Sequence, residues 1–130
     1  MRDTVYIVTP TPAESDRIIK ALPAEPLDVQ TFGSAAELVA AFGSGARGCV
    51  VAPVDLPPMG VRGLIDEIRR RQLCLTVVVI GREGDDLRVA VDLVRAGAAE
   101  FVEHPFSAGR LRTAVRHAIA AARRARAYCH

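Results

Sequence analysis

The chain reads as an α/β protein with a doubly wound parallel sheet, and three observations point there. Short β-branched runs alternate with longer stretches of helical period, five times over. Two of those runs, at 49–52 and 75–80, are apolar almost throughout, as strands covered on both faces must be. Helix-start and helix-stop residues fall between the runs, where each change of period requires them.

Each element follows from its residues in turn. Strand 1 is expected at 4–8, where Val5, Tyr6, Ile7 and Val8 are β-branched or aromatic. Helix 1 starts behind Thr11-Pro12-Ala13-Glu14, which reads as a capping box with proline at the first helical position, and it stops near Leu22, ahead of Pro23. Strand 2 takes 27–31, and Ser34-Ala35-Ala36-Glu37 repeats the box for a helix 2 ending at Phe42 before Gly43. Strand 3 is 49–52, helix 3 covers about 64–71 and strand 4 is 75–80. Helix 4 covers about 86–96 before Gly97, with Asp85 and Asp86 complementing its dipole. Strand 5 is 99–103, and Ser107 caps a long helix 5 whose Leu111, Val115, Ala118, Ile119 and Ala122 keep a three- to four-residue spacing and continue into 123–128. Right-handed crossovers restrict how five such units are arranged, and the flavodoxin-like strand order 2-1-3-4-5, helices on both faces, is the expected one. Any ligand site then lies at the carboxyl ends of strands 1 and 3, at Val8-Thr9-Pro10 and Ala52-Pro53-Val54-Asp55.

Composition narrows the function classes. The 130 residues, half of them apolar and a quarter charged, suit one soluble domain and exclude a disordered or fibrous chain. A net charge of +2 is too small to imply nucleic acid, and the arginines crowding residues 110–126 read as a solvated helix face. The longest apolar run, at 74–80, is far short of the roughly 20 residues of a membrane span, and no signal-peptide layout opens the chain, so a cytoplasmic location is expected. Cys49, Cys74 and Cys129 show no metal-ligand spacing and are expected to be reduced, the first two as small buried hydrophobes. "GREGDD", from Gly81 to Asp86, lacks the spacing of a phosphate cradle, and no nucleophile motif is present. No enzyme activity, cofactor or metal is expected.

Five stretches in order carry a resemblance: "TVYIV" at strand 1, "TFGSAAELVAAF" over strand 2 and helix 2, "GCVV" followed by "VDLPPM" at strand 3, "RAGAAEF" around Gly97, and "EFVEHPF" at strand 5. Together they resemble the receiver domain of two-component response regulators, especially those of LuxR-type transcriptional regulators. The resemblance implies phosphoryl transfer to an aspartate at the end of strand 3. Two acids after strand 1 help hold Mg²⁺, and a hydroxyl and a lysine bind the phosphoryl oxygens. Carried over residue by residue, the acids fall on Thr9 and Pro10 and the lysine on His104, whose bond to Pro105 is a candidate for cis. The hydroxyl position falls on Gly81, or on Arg82 given a one-residue insertion, and the switch aromatic on Phe101. Read forward from "GCVV", the acceptor is Pro53; read backward from Gly63-Leu64, it is Asp55. The second register would bury Pro53 inside a central strand, where its missing N–H removes a ladder hydrogen bond, so Pro53 is preferred.

The resulting expectation is a pseudo-receiver, degenerate at its phosphorylation site, that acts by protein contact on an output such as transcription. The alternative is a phosphorylatable receiver with Asp55 as acceptor. Residues 1–122 form the receiver-like domain, and 123–130 are the end of helix 5 or a linker to an output domain. Contact is expected through helix 4, strand 5 and helix 5, by self-association or with another protein. The interface candidates are Arg88, Asp92 and Arg95, Glu100 and Glu103, and Arg112 and Arg116, whose opposite charges suit a twofold interface. A histidine kinase is a further partner the resemblance implies, and DNA enters only through an output domain absent from this chain.

Overall fold

The computed structural model describes residues 3–23, 26–41, 47–56, 60–82, 84, 87–103 and 105–126, with side chains to 124. Phe42, Gly43, Asp85, Asp86, His104 with its bond to Pro105, and Cys129 were singled out in the sequence and lie outside the described residues. Strands β1 (Asp3–Val8), β2 (Leu27–Phe32), β3 (Arg47–Pro53), β4 (Cys74–Ile80) and β5 (Glu100–Val102) alternate with helices α1 (Pro12–Lys20), α2 (Ala35–Ala41), α3 (Gly60–Arg70), α4 (Leu87–Ala96) and α5 (Ala108–Arg126). The sheet order is β2-β1-β3-β4-β5 and every pairing is parallel, which is the flavodoxin-like arrangement.

Alternation along the central strands builds two cores. Val50 and Ala52 of β3 and Val77 and Val79 of β4 face α2, α3 and α4, packing with Leu38, Leu64, Ile65 and Leu93. Cys49, Val51, Val78 and Ile80 face the other way, against Ile18 of α1 and Leu111, Val115 and Ala118 of α5. β3 is buried after its first residue, whereas the edge strand β2 is exposed over its four middle residues. No helix among the described residues is long and apolar enough to cross a membrane.

Three local expectations are corrected. Helix α3 starts at Gly60 rather than near residue 64, because Val61 joins Leu64, Ile65 and Ile68 in one buried stripe at i, i+3, i+4 and i+7. At α1, Thr11 is the N-cap and Pro12 opens the helix, but the Thr11 side chain makes no cap bond. Glu14 instead accepts the hydroxyls of Thr9 and Thr11, so no capping box forms. At α2, Ser34 caps as expected by accepting from the Glu37 amide, while Glu37 reaches back past the cap to the amide of Gly33. Cys74 is disulfide-bonded, not reduced as expected; it opens β4 and is only half-buried, unlike the sealed free thiol of Cys49. At α5, Ser107 caps as expected, its hydroxyl accepting from the Arg110 amide.

Pro53 is the last residue of β3, buried and in register with Ile80. The next amide, that of Val54, donates to the Ile80 carbonyl at 2.9 Å. Successive amides of a strand point to opposite neighbours, so the donor that proline lacks falls on the β1 side, beyond the last β1–β3 pair, Ile7 with Val51. Proline is tolerated there because no ladder bond is lost.

Candidate functional site

The carboxyl ends of β1, β3 and β4 stand side by side, and the segments leaving them form a crevice. Thr9 follows β1 and is buried; its amide donates to the Phe32 carbonyl at 3.0 Å, which ties the strand end to β2. Pro10 is exposed beside it, and Pro53 and Gly81 end or follow β3 and β4. Gly81 is buried, its amide donating to the Val102 carbonyl at 2.9 Å, so Arg82 leaves from a fixed point.

Charge enters the crevice from residues outside the strands. Glu14, in the first turn of α1, accepts the Thr9 hydroxyl at 3.1 Å and the Thr11 hydroxyl at 3.3 Å, both on Oε2. Its Oε1 receives Nη1 of Arg82 at 3.3 Å. On the other side of the guanidinium, Nε donates to Asp55 Oδ1 at 3.1 Å, and Nη2 lies 3.0 Å from the same oxygen. The three charged groups come from α1, the turn after β3 and the turn after β4. Arg82 is held above the ordinary arginine range, chiefly by the hydrogen bond to Asp55, with partial burial opposing and the charges of Glu14 and Asp55 assisting.

The Mg²⁺ that the resemblance implies does not fit this donor set. A hard dication needs several oxygens of concentrated negative charge, and the strand ends offer one threonine hydroxyl and two prolines. Among the described residues, the two carboxylates that reach the crevice, Glu14 and Asp55, share one guanidinium between them. Among the described residues no cluster of three or more His, Cys, Asp or Glu is arranged to hold a metal.

Sequence reading found Thr9, Pro10, Pro53, Asp55, Gly81 and Arg82, and the structure gathers them at this one end of the sheet. It assigned Glu14 to a helix cap, whereas the side chain turns inward to Arg82 and is only 15% exposed. Nothing in local spacing links Glu14 to Arg82, 68 residues away. The usable signal was topological, since the predicted strand order already set the segment after strand 4 opposite the start of helix 1.

A second region lies at α4, β5 and α5. Leu87, Val91 and Val94 of α4 are large apolar residues left exposed. A cleft of about 540 Å³ runs beside them, lined by Leu87, Ala90, Phe101, Glu103 and Arg110 among others. Phe101 is half-buried against the core and its carbonyl accepts from Arg110 at 3.1 Å. Arg88, Asp92, Arg95 and Glu103 are exposed, while Glu100 is half-buried and pairs with His117 at 3.0 Å. The edge of α5 facing β5 therefore carries Arg110 and His117. Arg112 and Arg116 sit about 100° round the helix from His117 or further, on a stripe shared with Arg123, so the structure does not group them with Glu100.

No family profile matches the chain. The transcriptional regulatory protein FixJ of Azorhizobium caulinodans is 30% identical over 112 residues, 86% of this chain and 53% of the relative. The chain spans about half the length of the curated relatives it matches. The crystal structure of full-length FixJ from B. japonicum superposes with a TM-score of 0.84 at 25% identity, covering 98% of this chain and 62% of that one. In fold alone, the signal receiver domain of a LuxO repressor protein from Vibrio parahaemolyticus matches with a TM-score of 0.83 at 22% identity, covering 98% and 95% of the two chains. The strand order and the helix placement agree with these likenesses: the chain has the fold of response-regulator receiver domains and is similar over most of its length to the transcriptional regulatory protein FixJ.

Proposed function

We propose that this receiver works without being phosphorylated, as a binding module rather than an enzyme, in the cytoplasm. It acts through protein contacts at α4, β5 and α5 on an output such as transcription, the role printed in the names of its relatives. The observation that carries this reading is the Arg82 guanidinium lying between Glu14 and Asp55. Phosphoryl transfer is accelerated by cations aimed at the charge that develops on the transferring group, and by a nucleophile in line with it. Here Arg82 is spent on two carboxylates, and Pro53, at the preferred acceptor place, offers no nucleophile. With no phosphorylation step to set it, the contact face is set by sequence alone. Its exposed Leu87 and Val94, 73% and 51% accessible, provide the apolar part of the surface.

One observation favours the alternative acceptor: the Asp55 side chain is 62% accessible. Incubation with acetyl phosphate and Mg²⁺ followed by intact-mass measurement separates the two readings. The wild-type mass is expected to stay unchanged. A phosphate-sized gain that disappears in Asp55→Asn would establish Asp55 as the acceptor and end the phosphorylation-independent reading.

A further inference from the structure

The crevice brings its own cation. Glu14 is held from two sides before Arg82 arrives, because the Thr9 and Thr11 hydroxyls both donate to Oε2 and leave Oε1 for the guanidinium. Asp55 meets the opposite edge of the same group through Nε and Nη2. Carboxylates from two separate elements do not converge unless positive charge lies between them, and in many proteins a divalent ion supplies it. A guanidinium supplies it here, with five donors in a planar fork that matches more than one carboxylate at a time.

We infer that Arg82 is a tethered cation that takes the place of a divalent metal ion between Glu14 and Asp55, and that it thereby pins the β4–α4 junction to α1 and to the turn after β3. The arrangement deepens the phosphorylation-independent reading and rests on it only for its biological meaning; its geometry stands without it. Arg82 follows the anchored Gly81 and precedes the first residue of α4, Leu87, by five positions. A fixed Arg82 therefore limits where α4 begins, and with it the position of the exposed Leu87 and Val91. The raised basicity of Arg82 agrees with a charge held in place by two carboxylates.

The test is Mn²⁺ alone, followed by its electron paramagnetic resonance signal and by calorimetry, on the full chain. Wild type is expected to bind weakly, because the metal must displace a covalently attached competitor. Arg82→Ala frees both carboxylates and is expected to bind Mn²⁺ at least about tenfold more tightly. Amide exchange at Leu87–Val91 is expected to rise in that variant and to fall again when Mn²⁺ is added. Arg82→Gln, which is shorter but keeps a polar side chain and loses the charge, serves as a second variant should the alanine form not fold. Adding Glu14→Gln or Asp55→Asn to either variant is expected to return the affinity to the wild-type value. An Arg82 variant that is folded by circular dichroism and binds Mn²⁺ no better than wild type overturns the inference. So does a gain that survives both carboxamide substitutions. The mass measurement with acetyl phosphate does not enter this outcome, so the two readings fail separately.

Discussion

Two arginines hold carboxylates at opposite ends of the same sheet, and they do different jobs. At the amino edge, Arg123 of α5 grips Asp3, the first residue of β1, through Nε and Nη2. That pair joins elements already packed on one another, since β1 and α5 share an apolar core through Val5, Ile7, Val115 and Ala118. At the carboxyl edge, Arg82, in the turn after β4, joins the first turn of α1 to the turn after β3, and its partners Glu14 and Asp55 belong to no strand. Ligand sites of open α/β sheets lie beyond the carboxyl ends of the strands. The same ion-pair chemistry is therefore a brace at one end and an occupant of the binding crevice at the other.

Cys49, in the middle of β3 and at neither end of the sheet, should show the strongest response of all. Burial pushes its thiol from 9.0 up to about 12. The neutral thiol is favoured by folding, so this contribution is whole below about pH 9 and falls as pH rises towards 12, by on the order of 4 kcal/mol at most. Urea unfolding of wild type minus Cys49→Val across that window should show the loss. The difference should be the same in an Arg82 or Arg123 variant, because the core lies between the two ends.

Next in size is the amino-end brace. Arg123→Ala leaves the Asp3 carboxylate, only 8% exposed, without its guanidinium, and a loss of about 2 kcal/mol in chemical denaturation is expected. Asp3→Asn in the same background should recover part of it, since the buried charge that Arg123 helped to offset is then removed. A loss no larger than that of Arg82→Ala would erase the distinction between brace and occupant.

The smallest effect belongs to the crevice carboxylate nearest solvent. Asp55 and Arg82 are 62% and 37% accessible, so Asp55→Asn should cost less than about 1 kcal/mol. Raising the salt to about 1 M should remove most of that cost, by screening a pair open to water. A cost that persists at high salt would mean the crevice is drier than its exposure indicates.

Much of the fold was legible because its signals are local. The runs at 49–52 and 75–80 are apolar almost throughout, and the structure extends the first by Arg47, Gly48 and Pro53 and the second by Cys74. Strand β2, with Asp28, Gln30 and Thr31 exposed, was legible from the turn residues around it more than from its own pattern. The start of α3 was hidden because Gly63 interrupts the helical signal between Val61 and Leu64, and only the packed core shows that Val61 belongs to the stripe. At the site, the strand-end residues were readable by position. The partnership of Glu14, Asp55 and Arg82 was not, because it depends on side chains converging from segments far apart in the chain.

The Thr9 hydroxyl, 3.1 Å from Glu14, also constrains the order in which this crevice could be rebuilt by mutation. An aspartate placed at position 9 first would set a second negative charge against Glu14 while Arg82 still serves Asp55, so the step begins uphill. The same change made after Glu14 has been neutralised meets no such opposition. Single substitutions that look equivalent in sequence are thus unequal as steps, and any route back to a metal-binding crevice has a first move and a last one.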